Sequence, residues 1–370
     1  MFLTRLQLSG VRRFRSEEWT PAPGLNFVGG ANGAGKTTLL EAVHLLAYGR
    51  SFRGRVRDGL VRTGAEAVEV FAEWQERDAT RTRKVGLRHS GSEWQGRLDG
   101  QSVSHLGELC AALAVVTFEP GSHALITGGG EPRRRLVDWG LFHVEPDFLP
   151  VWRRYARALK QRNQLLKART RDAQLDAWDH ELAEAGEPLT RYRQRYLDRL
   201  APELQATAGE LVPALGASEL TFSPGWNRDS LPLADALLLA RDRDLAYGYT
   251  SVGPHRADWR IVFAALPGRE ALSRGQAKLT ALSLLLAQAG MHAQACGEWP
   301  VIALDDLASE LDRAHQGRVL QRLSASSAQV LITGTEPPPA LSGLGAEVAM
   351  FHVEHGEAGD SRLRSGSQGS

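Results

Sequence analysis

Short, continuous apolar runs recur along the chain and are separated by segments of helical periodicity. The runs are Leu25–Val28, Leu113–Phe118, Val301–Leu304 and Gln329–Thr333. Runs of this length without polar alternation are typical of strands that are buried on both faces. Thr38–Tyr48 and Ala277–Ala295 place apolar residues at helical spacing. Together these segments predict an α/β fold with a mixed sheet and flanking helices.

A second set of segments is shorter or alternates between apolar and polar residues, and it predicts further strands. The candidates are Phe2–Leu8, Val68–Trp74, Lys84–Leu87, Trp94–Leu98 and Ala346–His355. Three of them follow one another closely, and Trp94–Leu98 ends at the turn pair Asp99-Gly100. Closely spaced strands with such turns are typical of an antiparallel arrangement. We therefore expect an antiparallel β subdomain beside the main sheet.

Residues 146–244 have helical periodicity and predict an inserted α-helical lobe. Two long amphipathic helices are expected to join near Gly186 as a hairpin, with Pro188 at the start of the second helix. Residues 1–145 and 245–355 would then form one discontinuous α/β head. Residues 356–370 are rich in Gly, Ser and charged residues, and we expect them to be a disordered tail.

The candidate chemistry begins with a glycine-rich segment that follows the first apolar run. The segment contains Gly30, Ala31, Asn32, Gly33, Ala34, Gly35, Lys36, Thr37 and Thr38, and it matches the phosphate-loop pattern G-x-x-x-x-G-K-[ST]. Glycines allow backbone N–H groups to approach phosphate oxygens, and the following helix adds partial positive charge at its N-terminus. We expect Lys36 to reach the β- and γ-phosphates of ATP and the Thr37 hydroxyl to hold Mg²⁺.

Two adjacent carboxylates follow the apolar run Val301–Leu304. Asp305 is expected to bind Mg²⁺, directly or through water, and Asp306 occupies the position of a base or water-orienting carboxylate. Because parallel strands present their C-terminal ends at the same edge of a sheet, these acids are expected near the phosphate loop.

A third candidate lies at the start of the helix Ala277–Ala295. Ser273, Gly275 and Gln276 precede that helix, and a Ser and a Gly at a helix N-terminus can form an anion site. Plain N-capping by Ser273 explains the same residues. On this segment alone the capping interpretation is favoured.

Basic residues are concentrated in two segments. Trp152–Arg171 contains eight Lys or Arg residues and no Asp or Glu, so that Arg153, Arg157 and Lys160 are candidates for a helical face that follows a DNA backbone. A solvated surface is an equally good interpretation of this face. The second segment follows the phosphate-loop helix and offers Arg53, Arg55 and Arg57 as alternative DNA contacts.

Composition limits these interpretations only weakly. The chain has 370 residues, is 42% hydrophobic and 24% charged, and has a net charge of +1, so that overall charge gives no argument for nucleic acid. Cys110 and Cys296 are far apart in the sequence and have no metal-ligand pattern around them. No apolar run is long enough to span a bilayer. We expect a soluble, cytoplasmic protein with two or three domains and no membrane partner.

The order of the motifs resembles that of ABC-type ATPases, and the helical insertion is similar to the SMC-like branch of that class. Four segments together resemble the RecF family of recombination mediators, over about residues 1–355. The segments are Gly30–Thr37, Glu131–Trp139, Thr250–Asp258 and Leu304–Asp312. The Gly-Pro-His-Arg sequence at Gly253–Arg256 and the Asp-Asp pair are the specific elements, whereas very many ATPases have the phosphate loop.

The resemblance implies a slow, DNA-stimulated ATPase that uses ATP and Mg²⁺ and forms an ATP-dependent homodimer. Each site of that dimer would combine Gly30–Thr38 and Asp305–Asp306 of one chain with Ser273, Gly275 and Gln276 of the other. It also implies binding to single- and double-stranded DNA at gaps and junctions. The implied protein partners are RecR and RecO, with RecA recombinase as an indirect partner, in association with the nucleoid.

Four residues depart from a typical ABC-type ATPase. Asp306 replaces the usual Glu, and Thr335 stands where a switch histidine is common. Glu119 stands near the usual position of a glutamine, and Arg274 interrupts the usual Gly-Gly of the signature. A shorter carboxylate and a hydroxyl that cannot titrate near neutral pH are compatible with slow turnover. Three other functions share some of these motifs: a transporter's nucleotide-binding subunit, a structural SMC-like chromosome protein, and a DNA-binding scaffold without ATPase activity.

Overall fold

The computed structural model describes residues 1–54, 59–76, 81–169, 173–266, 272–345, 347–355 and 361–365. The strands are β1 (Phe2–Val11), β2 (Phe14–Trp19), β3 (Leu25–Gly29), β4 (Val68–Gln75), β5 (Thr82–His89), β6 (Trp94–Leu98), β7 (Gln101–Val103), β8 (Val115–Phe118), β9 (Ser218–Ser223), β10 (Asp258–Phe263), β11 (Val301–Leu304), β12 (Val330–Thr333), β13 (Val348–His355) and β14 (Ser361–Ser365). The helices are α1 (Lys36–Tyr48), α2 (Leu106–Ala112), α3 (Ala124–Thr127), α4 (Gly130–Val144), α5 (Phe148–Lys167), α6 (Ala173–Leu211), α7 (Leu233–Tyr247), α8 (Arg274–Cys296), α9 (Leu307–Glu310) and α10 (Arg313–Ser324).

The chain forms two compact units. The first combines Met1–Ser122 with His292–Ser370, and the second is His123–Met291. At the centre of the first unit is a sheet with strand order β14-β13-β3-β12-β11-β8. The pairs from β13 to β8 are parallel, and every residue of β8, β11 and β12 is buried. The continuous apolar runs therefore predicted these strands correctly, because both faces of the sheet are covered.

A second sheet in the first unit is antiparallel, with strand order β2-β1-β4-β5-β6-β7. Buried positions alternate along β4, where Val68, Val70, Ala72 and Trp74 face the core. These side chains share one hydrophobic cluster with Leu39, Leu40 and Leu46 of α1. The predicted antiparallel subdomain is confirmed, and its apolar face packs around the helix that follows the phosphate loop.

The second unit is mainly helical and contains buried ion pairs. Arg162 of α5 is fully buried and donates to Asp179 of α6 at 2.5 Å and to Asp244 of α7 at 2.7 Å. Arg193 of α6 donates through Nε to Asp138 of α4 at 2.8 Å. A buried charge is tolerated only when it is paired, so these contacts fix the four helices in one arrangement.

The predicted position of the turn in the helical hairpin is wrong. Helix α5 ends at Lys167 and α6 begins at Ala173, so that Gly186 and Pro188 lie inside α6. A Cβ on Gly186 would lie 2.3 Å from Cδ2 of Leu233. The glycine therefore permits close packing of α7 against α6, and it does not mark a helix end.

The second unit is also larger than the predicted lobe of residues 146–244. Strand β9 pairs with β10 along Ser218–Ser223 and Asp258–Phe263. The amide of Gln288 in α8 donates to the carbonyl of Leu136 and to the hydroxyl of Tyr196. Segments on both sides of 146–244 therefore belong to the helical unit through contacts between residues that are distant in the sequence.

The predicted disordered tail contains a strand. β14 pairs antiparallel with β13, with Ser361 opposite His355 and Ser365 opposite Phe351. Residues 356–360 and 366–370 of the predicted tail lie outside the described residues. The prediction is wrong for Ser361–Ser365, because pairing with a neighbouring strand stabilises a segment that has few apolar residues.

Candidate nucleotide-binding site

The phosphate loop connects β3 to α1 in the first unit, as predicted. Gly30 and Gly35 have φ angles of 146° and 117°, which side chains disfavour. A Cβ on Gly30 would lie 2.5 Å from the carbonyl oxygen of Val353, and Gly35 occupies the N-cap position of α1. The backbone of Gly30–Thr37 therefore turns tightly at the N-terminus of a 13-residue helix, where N–H groups attract anions.

Lys36 lies over this loop and is only 7% exposed. Its ammonium group donates to the carbonyl oxygens of Gly30 at 2.8 Å and Ala31 at 3.0 Å. Burial lowers the pKa of Lys36, and the nearby carboxylates of Asp306 and Asp305 oppose this shift. The cation is thus held at the loop by neutral carbonyl groups, which a phosphate can replace as partners.

Asp305 follows β11 and forms hydrogen bonds with residues of α1, β12 and β8. One carboxylate oxygen accepts from the Thr37 hydroxyl at 2.9 Å and from the Thr333 hydroxyl at 2.7 Å. Its backbone N–H donates to the carbonyl oxygen of Phe118 at 2.8 Å. Burial raises the pKa of Asp305, and the hydrogen bonds from Thr333 and Thr37 act in the opposite direction. The acid and the loop hydroxyl that sequence reasoning paired are therefore in direct contact.

The Thr37 and Asp305 oxygens fit Mg²⁺, which prefers hard oxygen ligands and is commonly held by one or two carboxylates together with substrate phosphates. Within the described ranges, no group of three or more His, Cys, Asp and Glu residues could hold a metal ion without such help. The donor set therefore suits a cation that binds with a nucleotide.

Asp306 has a left-handed backbone conformation with φ 52° and ψ 43°, at the N-terminus of α9. Its backbone N–H donates to the Thr333 hydroxyl at 2.9 Å. Aspartate adopts this conformation more readily than most residues. The turn directs the chain away from β11 immediately after the two acids, and the carboxylate acts electrostatically on Lys36.

Sequence reasoning missed Thr333 and considered Thr335, which lies two residues beyond the end of the same strand. Thr333 contacts both acids of the pair, whereas Thr335 is exposed. The available signal was topological: Thr333 is the last residue of a buried strand next to the strand that precedes Asp305. A polar residue at that point of a parallel sheet lies at the ligand edge.

A cavity of about 460 Å³ opens beside the phosphate loop. Its lining includes Lys36, Thr37, Arg12, Arg13 and Arg53. Arg12 donates to the fully buried carboxylate of Glu41 in α1 at 2.5 and 2.7 Å, which fixes the guanidinium at the cavity wall. The cavity is thus basic and adjoins the loop.

Arg53, a candidate DNA contact, therefore lies beside the nucleotide site, and Arg55 and Arg57 fall outside the described residues. On α5 in the second unit, Arg153, Arg157 and Lys160 are exposed, and none of them forms an ion pair with any residue that the structure describes. Arg154 pairs with Glu181, and Arg162 is buried. The basic segment therefore separates into an exposed unpaired face and residues that stabilise the unit.

Ser273 and Gln276 form a reciprocal cap at the start of α8. The Ser273 N–H donates to the Gln276 side chain at 2.8 Å, and the Gln276 N–H donates to the Ser273 hydroxyl at 3.3 Å. Ser273 and Gly275 are exposed. The capping interpretation is therefore confirmed as local structure, and the helix end remains accessible to an anion.

The Gly-Pro-His-Arg sequence lies in the second unit, where Gly253 and Pro254 are buried, His255 is half-buried and Arg256 is exposed. His255 shares a hydrogen bond of 2.7 Å between Nδ1 and the Tyr155 hydroxyl, and its Nε2 lies 2.9 Å from the Thr250 carbonyl. Burial lowers the pKa of His255 to about 4, so that the ring is neutral at neutral pH. Arg193 donates to the carbonyl of Pro254 at 2.6 Å. Through these contacts the motif holds α5 and α6 in position.

Among the helices that the structure describes, none combines the length and the apolar character that a membrane crossing requires. A family model described as "RecF/RecN/SMC N terminal domain" matches residues 2–357. The DNA replication and repair protein RecF of Stenotrophomonas maltophilia (strain R551-3) is 66% identical over 360 residues, which cover 96% of this chain and 99% of that protein.

Two solved structures are similar to this chain over almost its whole length. A structure of the recombination mediator protein RecF with ATP, in the RecFOR pathway, matches with a TM-score of 0.84 and 26% identity and covers 95% of both chains. An Smc head bound to the C-winged helix domain of ScpA matches with a TM-score of 0.62 and 16% identity, covering 100% of this chain and 98% of that chain. The second match supports the fold alone, which is that of an ABC-type ATPase head.

Proposed function

Because this chain belongs to the RecF family of SMC-type ATPases, we propose that it is an ATP-dependent DNA clamp of recombinational repair. Two copies would join around ATP, hold DNA at a gap or at a junction of single and double strands, and separate after slow hydrolysis. The contact of Asp305 with both Thr37 and Thr333 carries the nucleotide part of this proposal. A metal-binding acid is held at the phosphate loop by hydroxyls from two different elements.

In the half-site of one chain, the backbone N–H groups of Gly30–Thr38 would cradle the phosphates. Lys36 would exchange its carbonyl partners for phosphate oxygens, which form stronger, charge-assisted hydrogen bonds. Thr37 and Asp305 would hold Mg²⁺, which neutralises phosphate charge when it is bound. Arg12 and Arg13 add positive charge along the adjoining cavity.

Asp306 is the proposed catalytic carboxylate. Its backbone is fixed by Thr333, so its side chain would hold the attacking water near the phosphate loop. An Asp reaches less far than the Glu that is usual in ABC-type ATPases. A shorter reach would position the attacking water less well, which is compatible with the slow turnover of a switch; stimulation of that turnover by DNA is part of the same proposal.

The second half of each ATP site would come from the partner chain. Ser273, Gly275 and Gln276 lie at the exposed N-terminus of α8, and a helix N-terminus can stabilise negative charge. A γ-phosphate held by one chain would supply that charge, whereas ADP lacks it. ATP therefore favours the homodimer over separate chains by differential binding, and hydrolysis removes that preference.

The proposed DNA surface is the face of α5 that presents Arg153, Arg157 and Lys160. Their charges are exposed and unpaired among the described residues, so they can replace counterions on a phosphate backbone. Similar proteins act in the RecFOR pathway. RecR and RecO are accordingly the proposed partners, with loading of RecA as the indirect outcome, in the cytoplasm at the nucleoid.

The test is the affinity for a duplex with a single-stranded gap, measured with ATP and then with ADP at one fixed salt concentration. We expect ATP to tighten binding by roughly tenfold to a hundredfold, a common size for coupling between two sites. Light scattering on the same samples should show the homodimer with ATP. Equal affinities with the two nucleotides would instead support the scaffold interpretation, in which the phosphate loop does not control DNA.

A further inference from the structure

The C-terminal strand β14 lies directly against the phosphate loop in the first unit. Ser361, its first residue, is 2% exposed. Its hydroxyl donates to the carbonyl of Ala34 at 2.5 Å, and its backbone N–H donates to the carbonyl of Arg13 at 3.3 Å. Strand β14 also lies beyond residues 2–357, which the family model matches. The loop is therefore supported by a segment to which neither the motifs nor the family model assigns a role.

The Ala34 carbonyl belongs to the same rigid peptide group as the Gly35 N–H. In a trans peptide these two groups point in opposite directions. A hydroxyl that fixes the direction of the carbonyl therefore also fixes the N–H, which points the opposite way, away from Ser361. Among the described residues the Gly35 N–H has no acceptor, so it is available to a ligand.

Position 35 has no space for a side chain. A Cβ at this position would lie 2.9 Å from Ser361 Oγ and 2.9 Å from Cε2 of Phe14. Without a side chain, the φ of 117° is accessible but is not enforced by Gly35 itself. The contact with Ser361 thus supplies a constraint that the glycine lacks.

Strand pairing fixes the position of Ser361. Leu363 pairs with Val353 of β13, and its N–H donates to the carboxylate of Glu17 in β2 at 3.0 Å. The carbonyl of Val353 is also the group that a Cβ on Gly30 would approach to 2.5 Å. The β13–β14 hairpin therefore supports the phosphate loop near both of its ends.

We propose that Ser361 is a positioning residue for nucleotide binding, which orients the Gly35 N–H toward the α- and β-phosphates of a nucleoside di- or triphosphate. This inference rests on the proposed function, because it requires that the loop binds a nucleotide. ATP and ADP both carry those phosphates. Loss of the hydroxyl should therefore weaken both nucleotides by the same factor.

The experiment compares Ser361→Ala with Ser365→Ala in the full chain. Ser365 lies in the same strand and is exposed, so its variant makes the same chemical change away from the loop. Titration calorimetry with ATP and with ADP should show affinities about fivefold to tenfold weaker for Ser361→Ala, the usual effect of one lost hydrogen bond. Ser365→Ala should match the wild type, and both variants should melt near the wild-type temperature without nucleotide.

A second variant, Ser361→Cys, replaces the hydroxyl by a weaker donor of similar size and covers the case in which Ser361→Ala fails to fold. It should also bind both nucleotides more weakly than the wild type. Wild-type affinity in either variant, or equal loss in Ser361→Ala and Ser365→Ala, would overturn the role of the hydroxyl. If the wild-type chain itself binds neither nucleotide, the proposed function fails instead, so the two failures are distinguishable.

Discussion

The two candidate halves of the ATP site differ in how completely the chain builds them. In the first unit, Thr37 of α1 and Thr333 of β12 both donate to the carboxylate of Asp305, and Lys36 donates to the carbonyl of Gly30 in the phosphate loop. In the second unit, the start of α8 is exposed, and the hydrogen bonds between Ser273 and Gln276 form a local cap. One half is a formed pocket, whereas the other is an accessible helix end.

This difference indicates what each half can do alone. A loop with fixed N–H groups, a buried lysine and a paired carboxylate can bind a nucleotide within one chain. A helix N-terminus offers only a partial charge, so it gains stabilisation when an anion is brought to it. In a two-fold dimer, each chain would bring a nucleotide to the helix end of the other, which gives two equivalent sites.

Removing Lys36 should damage the formed half most severely. Lys36→Ala should weaken ATP binding by about a hundredfold, because hydrogen bonds from a charged donor to phosphate contribute about 1.5–3 kcal/mol each. ATP-dependent dimerisation should disappear with it. Titration calorimetry gives the affinity, and light scattering gives the mass. Lys160→Ala is the control, since it removes an exposed lysine of α5; an ATP-dependent dimer that survives Lys36→Ala would refute the role of the formed half.

Changing the accessible half should separate binding from hydrolysis. Ser273→Arg places a bulky cation at the helix end, so we expect one chain to bind ATP normally while dimerisation and kcat fall about tenfold or more. Ser273→Ala is the matched control: it removes the cap but adds no bulk, and it should cause a smaller loss. Wild-type kcat in Ser273→Arg would mean that the helix end of α8 takes no part in the site.

The formed half was largely predictable from the sequence because its signals are local. A continuous apolar run of four residues predicted β11, and the acids directly after it were placed at the ligand edge. The glycine pattern identified the phosphate loop, and its contact with Asp305 followed from the rule that parallel strands end at one edge. Each of these inferences needed only neighbouring residues and one topological rule.

Other features depend on contacts between distant residues and could not be predicted in this way. Gly186 and Pro188 predicted a helix boundary, but both lie inside α6, where Gly186 packs closely against Leu233. Ser361 lies in a polar segment whose strand exists through pairing with β13. Thr333 is one hydroxyl at the end of an apolar strand, and only the strand order shows that it contacts Asp305. Tertiary contacts override local propensity at these positions.

Charge reversal on the basic face of α5 tests whether the second unit binds DNA in addition to the γ-phosphate of ATP. Replacing Arg153, Arg157 and Lys160 by Glu should weaken DNA binding about tenfold at moderate salt. The slope of log affinity against log salt should flatten by roughly one for each DNA phosphate that the variant no longer neutralises. Replacing the exposed Arg313 and Arg318 of α10 by Glu is the control for a general change of charge. An unchanged slope in the α5 variant would move the DNA surface elsewhere, with Arg53 as the next described candidate.

The smallest expected effect concerns the hydrogen bonds that position Asp305 and Asp306 in the formed half. Thr333→Val removes the hydroxyl that donates to Asp305 and accepts from the Asp306 N–H, with little change in shape. We expect Mg²⁺-dependent ATP affinity to fall roughly threefold to fivefold, because the two lost hydrogen bonds position Asp305 and Asp306 and neither of them contacts the nucleotide. Thr335→Val is the matched control, because Thr335 is exposed two residues further along.

The pH dependence of the same variant gives a sharper test. Burial raises the pKa of Asp305, and the hydrogen bond from Thr333 opposes that shift, so Thr333→Val should raise the pKa further. Only the ionised carboxylate binds Mg²⁺ well, and a higher pKa means that protonation begins at a higher pH. Mg²⁺-dependent ATP affinity should therefore decline earlier, as the pH is lowered from neutral, in Thr333→Val than in the wild type or in Thr335→Val. Superimposable profiles would show that Thr333 does not control the ionisation of Asp305.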